Sequence, residues 1–197
     1  ARAAPLSHTH TLSLSLSMSS PTGQAFSGYS LWLVPPEPVA ASFAATIVEA
    51  SAEVNTPPFP PHVTLLGGLP ESVTEADARR GCEAIAAAVG PYEMVVTGVD
   101  VLPDSMFRCV FLRIDPTADV LAAFETAKTA LAVADVDKYA GYMPHLSLVY
   151  ADIDLESRER MAAAIGPKHD GESFTVSRLE LWNTAGVHSE WSMVAAY

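Results

Sequence analysis

Cysteine, basic charge and long apolar runs are all scarce in this chain, and each shortage closes off a class of function. Only Cys82 and Cys109 occur among 197 residues. Two cysteines make no secreted disulfide framework, and no Cys/His spacing matches a zinc site. They are expected as two buried thiols in a reducing compartment, with a regulatory disulfide as the alternative. Eleven basic residues face 23 acidic ones, for a net charge of −12. The bases are scattered and adjacent only at Arg79-Arg80. A surface that tracks long nucleic acid needs clustered cations to neutralise phosphates, so no such partner is expected. A small anionic substrate in a locally positive site is compatible with this charge. No apolar run reaches the length of a membrane span, and no membrane partner is expected.

Acidic residues are also missing from the whole stretch before Glu37. Residues 1–27 are rich in Ser, Thr, Leu and Ala, and Thr11–Ser17 alternates strictly. Nothing nearby offers that alternation a core, so the segment reads as flexible: a tail, a transit segment or a remnant. The rest of the chain is then expected in the cytoplasm, or in an organelle if residues 1–27 are a transit remnant.

What the chain does hold is a hydrophobic content of 49%, enough for one core. Tyr29–Val34 reads as a strand stopped by Pro35-Pro36. The Ala-rich run Pro38–Val54 reads as a helix, and the proline-rich residues 55–61 as a stiff connector. Thr74 opens a second helix to about Val89, with Asp77 completing a capping box. Tyr92–Leu102 and Phe107–Ile114 read as a hairpin. A third helix runs from Asp115 to about Val133, and Asp135–Met143 is a polar loop. A fourth helix covers Asp154–Ile165, ended by Gly166-Pro167. Ser173–Asn183 and Glu190–Ala196 are the last two strands.

Two stretches organise the pattern: Pro61-His62-Val63-Thr64-Leu65-Leu66 and Pro144-His145-Leu146-Ser147-Leu148-Val149. Of six histidines, only His62 and His145 have Thr or Ser two residues on. Side chains alternate along a strand, so each histidine shares a face with its hydroxyl. Each of these strands is followed by a helix and a hairpin. The expected fold is therefore α+β and bilobal: two pseudo-symmetric lobes, residues 28–197, with antiparallel sheets flanked by helices around a central cleft.

A lone histidine in an apolar strand is ordinarily a core residue with a satisfied hydrogen bond. Here proline, histidine, hydroxyl and aliphatic neighbours repeat together, in matched places of a repeated architecture, which favours a functional origin. Two imidazoles titrating near neutrality suit a reaction that needs a base and an acid at once. In-line displacement at phosphorus needs them on opposite sides, with Thr64 and Ser147 on the non-bridging oxygens. Lys138 and Tyr142, in the loop before His145, are read as solvated loop residues, with the pocket mouth as the alternative, and Arg108 near the hairpin is a candidate for positive charge at the pocket. His169 and His188 are expected in loops without partners, and His8 and His10 in the tail.

PHVTL and PHLSL resemble the paired signatures of the 2H phosphoesterase superfamily. Tyr29–Pro35, Pro144–Tyr150, Leu181–Gly186 and Trp191-Ser192 are similar to its plant and fungal cyclic phosphodiesterase branch. The resemblance implies a bilobal α+β fold and metal-independent opening of small cyclic phosphates; no cofactor is expected, and the chain is expected as a monomer. The implied substrates are ADP-ribose 1″,2″-cyclic phosphate and nucleoside 2′,3′-cyclic phosphates. It implies His62 and His145 as the catalytic pair, Thr64 and Ser147 as phosphate ligands, and Trp32 and Tyr150 as substrate-binding residues. It also implies His145 as base and His62 as acid. Simple strand alternation, by contrast, turns Tyr150 away from His145 unless the strand end twists. The alternatives are an RNA 2′-5′ ligase-like or RNA 3′-end-processing enzyme, and a non-catalytic nucleotide-binding module. The acidic charge disfavours the first two; the presence of both complete motifs disfavours the third.

Overall fold

A computed structural model of the chain describes residues 27–197. The alternating stretch Thr11–Ser17, His8 and His10 lie outside the described residues. The elements in order are β1 (Tyr29–Leu33), α1 (Val39–Glu53), β2 (Val63–Leu66), α2 (Glu75–Ala88), β3 (Tyr92–Asp100) and β4 (Val110–Ile114). They continue as α3 (Ala118–Ala130), β5 (His145–Val149), α4 (Leu155–His169), β6 (Ser173–Val176), β7 (Leu179–Asn183) and β8 (Ser192–Ala196). Local chemistry sets several ends. Thr74 accepts from the Asp77 N–H in a full capping box, and Thr117 and Asp154 cap α3 and α4 in the same way.

The strands form one antiparallel sheet in the order β6-β3-β4-β5-β2-β1-β7-β8. It divides into two four-stranded halves, β5-β4-β3-β6 and β2-β1-β7-β8. The halves meet where β2 touches β5, through the single pair Val63↔Leu146. The two histidine strands are therefore the innermost of the eight. One face of this centre is apolar: Val63, Leu66, Leu112, Leu146 and Val149 are at most 1% exposed. The helices pack across the halves. α1, which links β1 to β2, packs on β5, and α3, which links β4 to β5, packs on β2. The α2 helix covers β7 and α4 covers β3 and β4.

The α+β fold and its two lobes match expectation, but the lobes are interleaved in sequence. The β3–β4 hairpin that follows the His62 strand pairs with the His145 strand, and β7–β8 completes the His62 half. Ser173–Asn183 is two strands rather than one. β6 sits on the edge of one half beside β3, and β7 sits in the other beside β1. The α4 helix also runs past Gly166-Pro167 to His169. A proline removes a single helical hydrogen bond, which the final turn tolerates. Gly166 has its own reason: a Cβ there would meet Val99 Cγ1 at 2.9 Å, so the glycine lets α4 lie close on β3.

Candidate active site

Counting from Val63↔Leu146, antiparallel pairing sets His62 opposite Ser147 and Thr64 opposite His145. The histidines occupy one diagonal of a four-residue rectangle and the hydroxyls the other, each diagonal roughly 7–8 Å between backbones. A pocket of about 600 Å³ opens over this rectangle and is lined by all four residues, and by Trp32 and Tyr150.

Both histidine strands carry the same irregularity. Beside β1, Trp32 pairs with Thr64 and Leu31 with Leu66, so Leu65 is an extra residue. Beside β4, Phe111 pairs with Ser147 and Val110 with Val149, so Leu148 is extra. Each bulge falls directly after the hydroxyl and shifts the alternation by one. That shift returns Tyr150 to the face of His145 and Ser147, where simple alternation had turned it away.

The imidazoles are held alike. His62 Nδ1 donates to the Pro60 carbonyl at 2.7 Å, and His145 Nδ1 to the Met143 carbonyl at 2.8 Å. A carbonyl only accepts, so the neutral ring carries its proton on Nδ1 and keeps the Nε2 lone pair. Their surroundings differ. His62 is 3% exposed and lies flat on Trp32, with ring centroids 3.5 Å apart and planes 7° apart. Burial pulls its pKa down to about 3, against the Pro60 bond and with a small push from His145. His145 is half-buried and meets the edge of Phe111 at 5.3 Å. Burial lowers its pKa too, the Met143 bond opposes this, and the Arg108 charge adds to it.

The two hydroxyls are not equivalent either. Thr64 Oγ1 carries no hydrogen bond among the described residues. Ser147 Oγ donates to the Phe107 carbonyl at 2.7 Å, so a ligand oxygen would have to take that proton from the β3–β4 loop. Trp32 lines the pocket but is 2% exposed. Its rings are spent on His62 and on Trp182, stacked at 4.1 Å. It is placed to orient His62 more than to cover a ligand. Tyr150 stacks on Phe59 at 3.8 Å, and burial raises the pKa of its hydroxyl.

Arg108, Lys138 and Tyr142 all reach the lining, and Tyr142 donates to the Thr64 carbonyl at 3.1 Å. Periodicity does not reveal Phe111 beside His145, Trp182 stacked on Trp32, or Phe107 and Trp191 in the pocket lining; only the tertiary fold brings them there. His169 is not a free loop residue. It ends α4, is 2% exposed, and hydrogen-bonds Thr46 at 2.7 Å and Glu172 at 2.6 Å. His188 has partners as well, including the Pro57 carbonyl at 3.4 Å. Cys82 and Cys109 are both free and buried, and burial pushes the Cys82 thiol up to about 12. Among the described residues no helix is long and apolar enough to cross a membrane.

Two histidine-and-hydroxyl strands facing one pocket at the centre of a bilobal sheet define a phosphoesterase class, and the comparisons agree. A model of the 2′-5′ RNA ligase superfamily matches residues 35–188. The chain belongs to that superfamily, the 2H phosphoesterases, and is an enzyme. It is 30% identical to a cyclic phosphodiesterase of Arabidopsis thaliana over 163 residues, which is 79% of this chain and 84% of that protein. Its fold is similar to that of TT0787 of Thermus thermophilus, at a TM-score of 0.55 and 16% identity, covering 86% of this chain and 96% of that one. It is also similar to E. coli LigT complexed with 3′-AMP, at a TM-score of 0.54 and 11% identity, covering 87% of this chain and 96% of that one.

Proposed function

We propose that this enzyme is a metal-independent cyclic phosphodiesterase that hydrolyses small cyclic phosphates to phosphomonoesters. The observation that carries the reading is the diagonal pair of imidazoles, each with Nδ1 fixed by the carbonyl two residues before it. The likeness to a plant cyclic phosphodiesterase supports the reaction class, and the substrates we propose, ADP-ribose 1″,2″-cyclic phosphate and nucleoside 2′,3′-cyclic phosphates, are those the motif resemblance implies.

The cyclic phosphate sits over the rectangle, its non-bridging oxygens between Thr64 and Ser147. One neutral imidazole accepts a proton from water as the water oxygen bonds to phosphorus. The ring P–O bond breaks on the opposite side, and the other histidine, as imidazolium, protonates the departing oxygen. The hydroxyls hold the charge that gathers on the phosphoryl oxygens. Burial disfavours both imidazoles as cations, and the substrate anion restores the charged form of one of them. His62 is 3% exposed and His145 half-buried, so desolvation opposes a charge on His62 from more sides. The base role therefore suits His62 and the acid role the more open His145, the reverse of what the resemblance implies.

The test is turnover of a panel of cyclic phosphates in the presence of a chelator, with product analysis. Ring opening that persists in the chelator supports the reading; loss of all activity on chelation would refute a metal-independent reaction.

A further inference from the structure

The described residues include ten Lys and Arg side chains in a chain with twice as many acids as bases. Eight of them have a carboxylate within 4.0 Å: Arg79, Arg80, Arg113, Lys128, Arg158, Arg160, Lys168 and Arg178. Arg108 and Lys138 do not, and both line the pocket, where Asp104 is the only acidic side chain among the described residues. In a protein of net charge −12, unpaired cations gathered at one cavity are a local reversal of sign.

The two cations stand at opposite ends of the site. Lys138 donates to the Gly68 carbonyl, just past the end of β2. Arg108 follows Phe107, whose carbonyl holds Ser147 in the middle of β5, opposite His62. Gly68 lies past the end of β2 that is remote from His62, and Ser147 faces His62, so the two backbone anchors stand apart along β2 and one small phosphoryl group cannot serve both. Lys138 has already committed one proton to a backbone carbonyl. The Arg108 guanidinium has no partner among the described residues.

The backbone of Arg108 is nevertheless fixed. Its N–H donates to Ser105 Oγ at 3.2 Å, and its carbonyl accepts from Leu102 N–H at 3.0 Å. The loop around it is pinned from below by Arg158, 2% exposed, which donates to the carbonyls of Leu102, Ser105 and Ile153. A fork-shaped cationic donor is thus held at the pocket wall without an acceptor among the described residues, an arrangement suited to bidentate binding of phosphate.

We propose that Arg108 forms a subsite for a second phosphate of the substrate, separate from the reacting cyclic phosphate. The inference rests on the cyclic phosphodiesterase reading. It selects, within that reading, substrates such as ADP-ribose 1″,2″-cyclic phosphate that carry additional phosphate over unadorned nucleoside 2′,3′-cyclic phosphates.

The test compares adenosine 2′,3′-cyclic phosphate with its 5′-phosphorylated form, for the wild type and for Arg108→Met and Arg108→Lys. The wild type should prefer the 5′-phosphorylated substrate in kcat/KM by about 10- to 100-fold, the size of one charge-assisted hydrogen-bonded contact. Arg108→Met should lose that preference mainly through KM, and Arg108→Lys should retain part of it. An equal fall on both substrates would place Arg108 on the reacting phosphoryl group, and no change on either would make it a bystander; each overturns the proposal. If the wild type opens neither ring, the cyclic phosphodiesterase reading is what fails. Calorimetric binding of adenosine 3′,5′-bisphosphate against adenosine 3′-phosphate then decides the subsite. A preference for the bisphosphate that Arg108→Met abolishes supports it, and equal binding by the wild type refutes it.

Discussion

Replacing His62 with Asn should flatten the acid side of the stability curve. Asn keeps an amide N–H for the Pro60 carbonyl but cannot take up a proton. In the folded chain, burial holds His62 at about 3, against 6.5 for an exposed imidazole. Between those values the unfolded state binds the proton and the folded state does not, so stability present at neutral pH is lost as pH falls through this window. At 1.36 kcal/mol per pKa unit, the loss between pH 7.5 and 4.5 from this one residue is about 3 kcal/mol. It approaches about 5 kcal/mol near pH 3, a large part of the 5–15 kcal/mol that keeps a domain folded. The side chain is 3% exposed, so little solvent screening reduces this figure. Urea unfolding of both proteins at pH 7.5, 5.5 and 4.5, in a buffer free of phosphate, measures it. The wild type should lose about 3 kcal/mol more than His62→Asn over that range. The carboxylates titrate in both proteins, as does His145, whose shift has the same sign, so their contributions cancel in the difference. Parallel curves would show that His62 charges freely in the folded state, and the desolvation argument would be wrong.

His62→Ala and His145→Ala should each lower kcat by about 10²- to 10⁴-fold on a cyclic phosphate, with the double variant little worse than the poorer single one; full activity in either would remove the acid–base pair. Thr64→Ala and Ser147→Ala should cut turnover by roughly 10- to 1000-fold. Ser147→Ala should also cost about 1 kcal/mol in the melt because it removes the hydrogen bond to the Phe107 carbonyl, so a stability loss with intact turnover would make these hydroxyls structural. A substrate with a much better leaving group needs no acid: it should rescue His145→Ala and not His62→Ala, and the opposite result would restore the assignment implied by resemblance.

The sequence alone determined the two histidine–hydroxyl pairs. Histidine and hydroxyl two residues apart in an apolar strand must share a face, whatever surrounds them, because that follows from backbone geometry. Helix ends such as Thr74–Asp77 were legible for the same reason: capping is settled within a few residues. One sign of a break was also there to read, since the apolar positions switch from even at Phe174 and Val176 to odd at Leu179 and Leu181. Where β6 and β7 went was not legible, because strand partners are chosen by the competition of whole faces for one core. Tertiary structure alone brought Phe111 against His145 and Trp32 against His62, through pairing across β4–β5 and β1–β2. It also inserted Leu65 and Leu148 as extra residues, which no local pattern announces and which bring Tyr150 to the pocket. The inequality of the two histidines belongs to the same level. Their local sequences are nearly interchangeable, and burial under Trp32 on one side and an open wall beside Arg108 on the other set them apart.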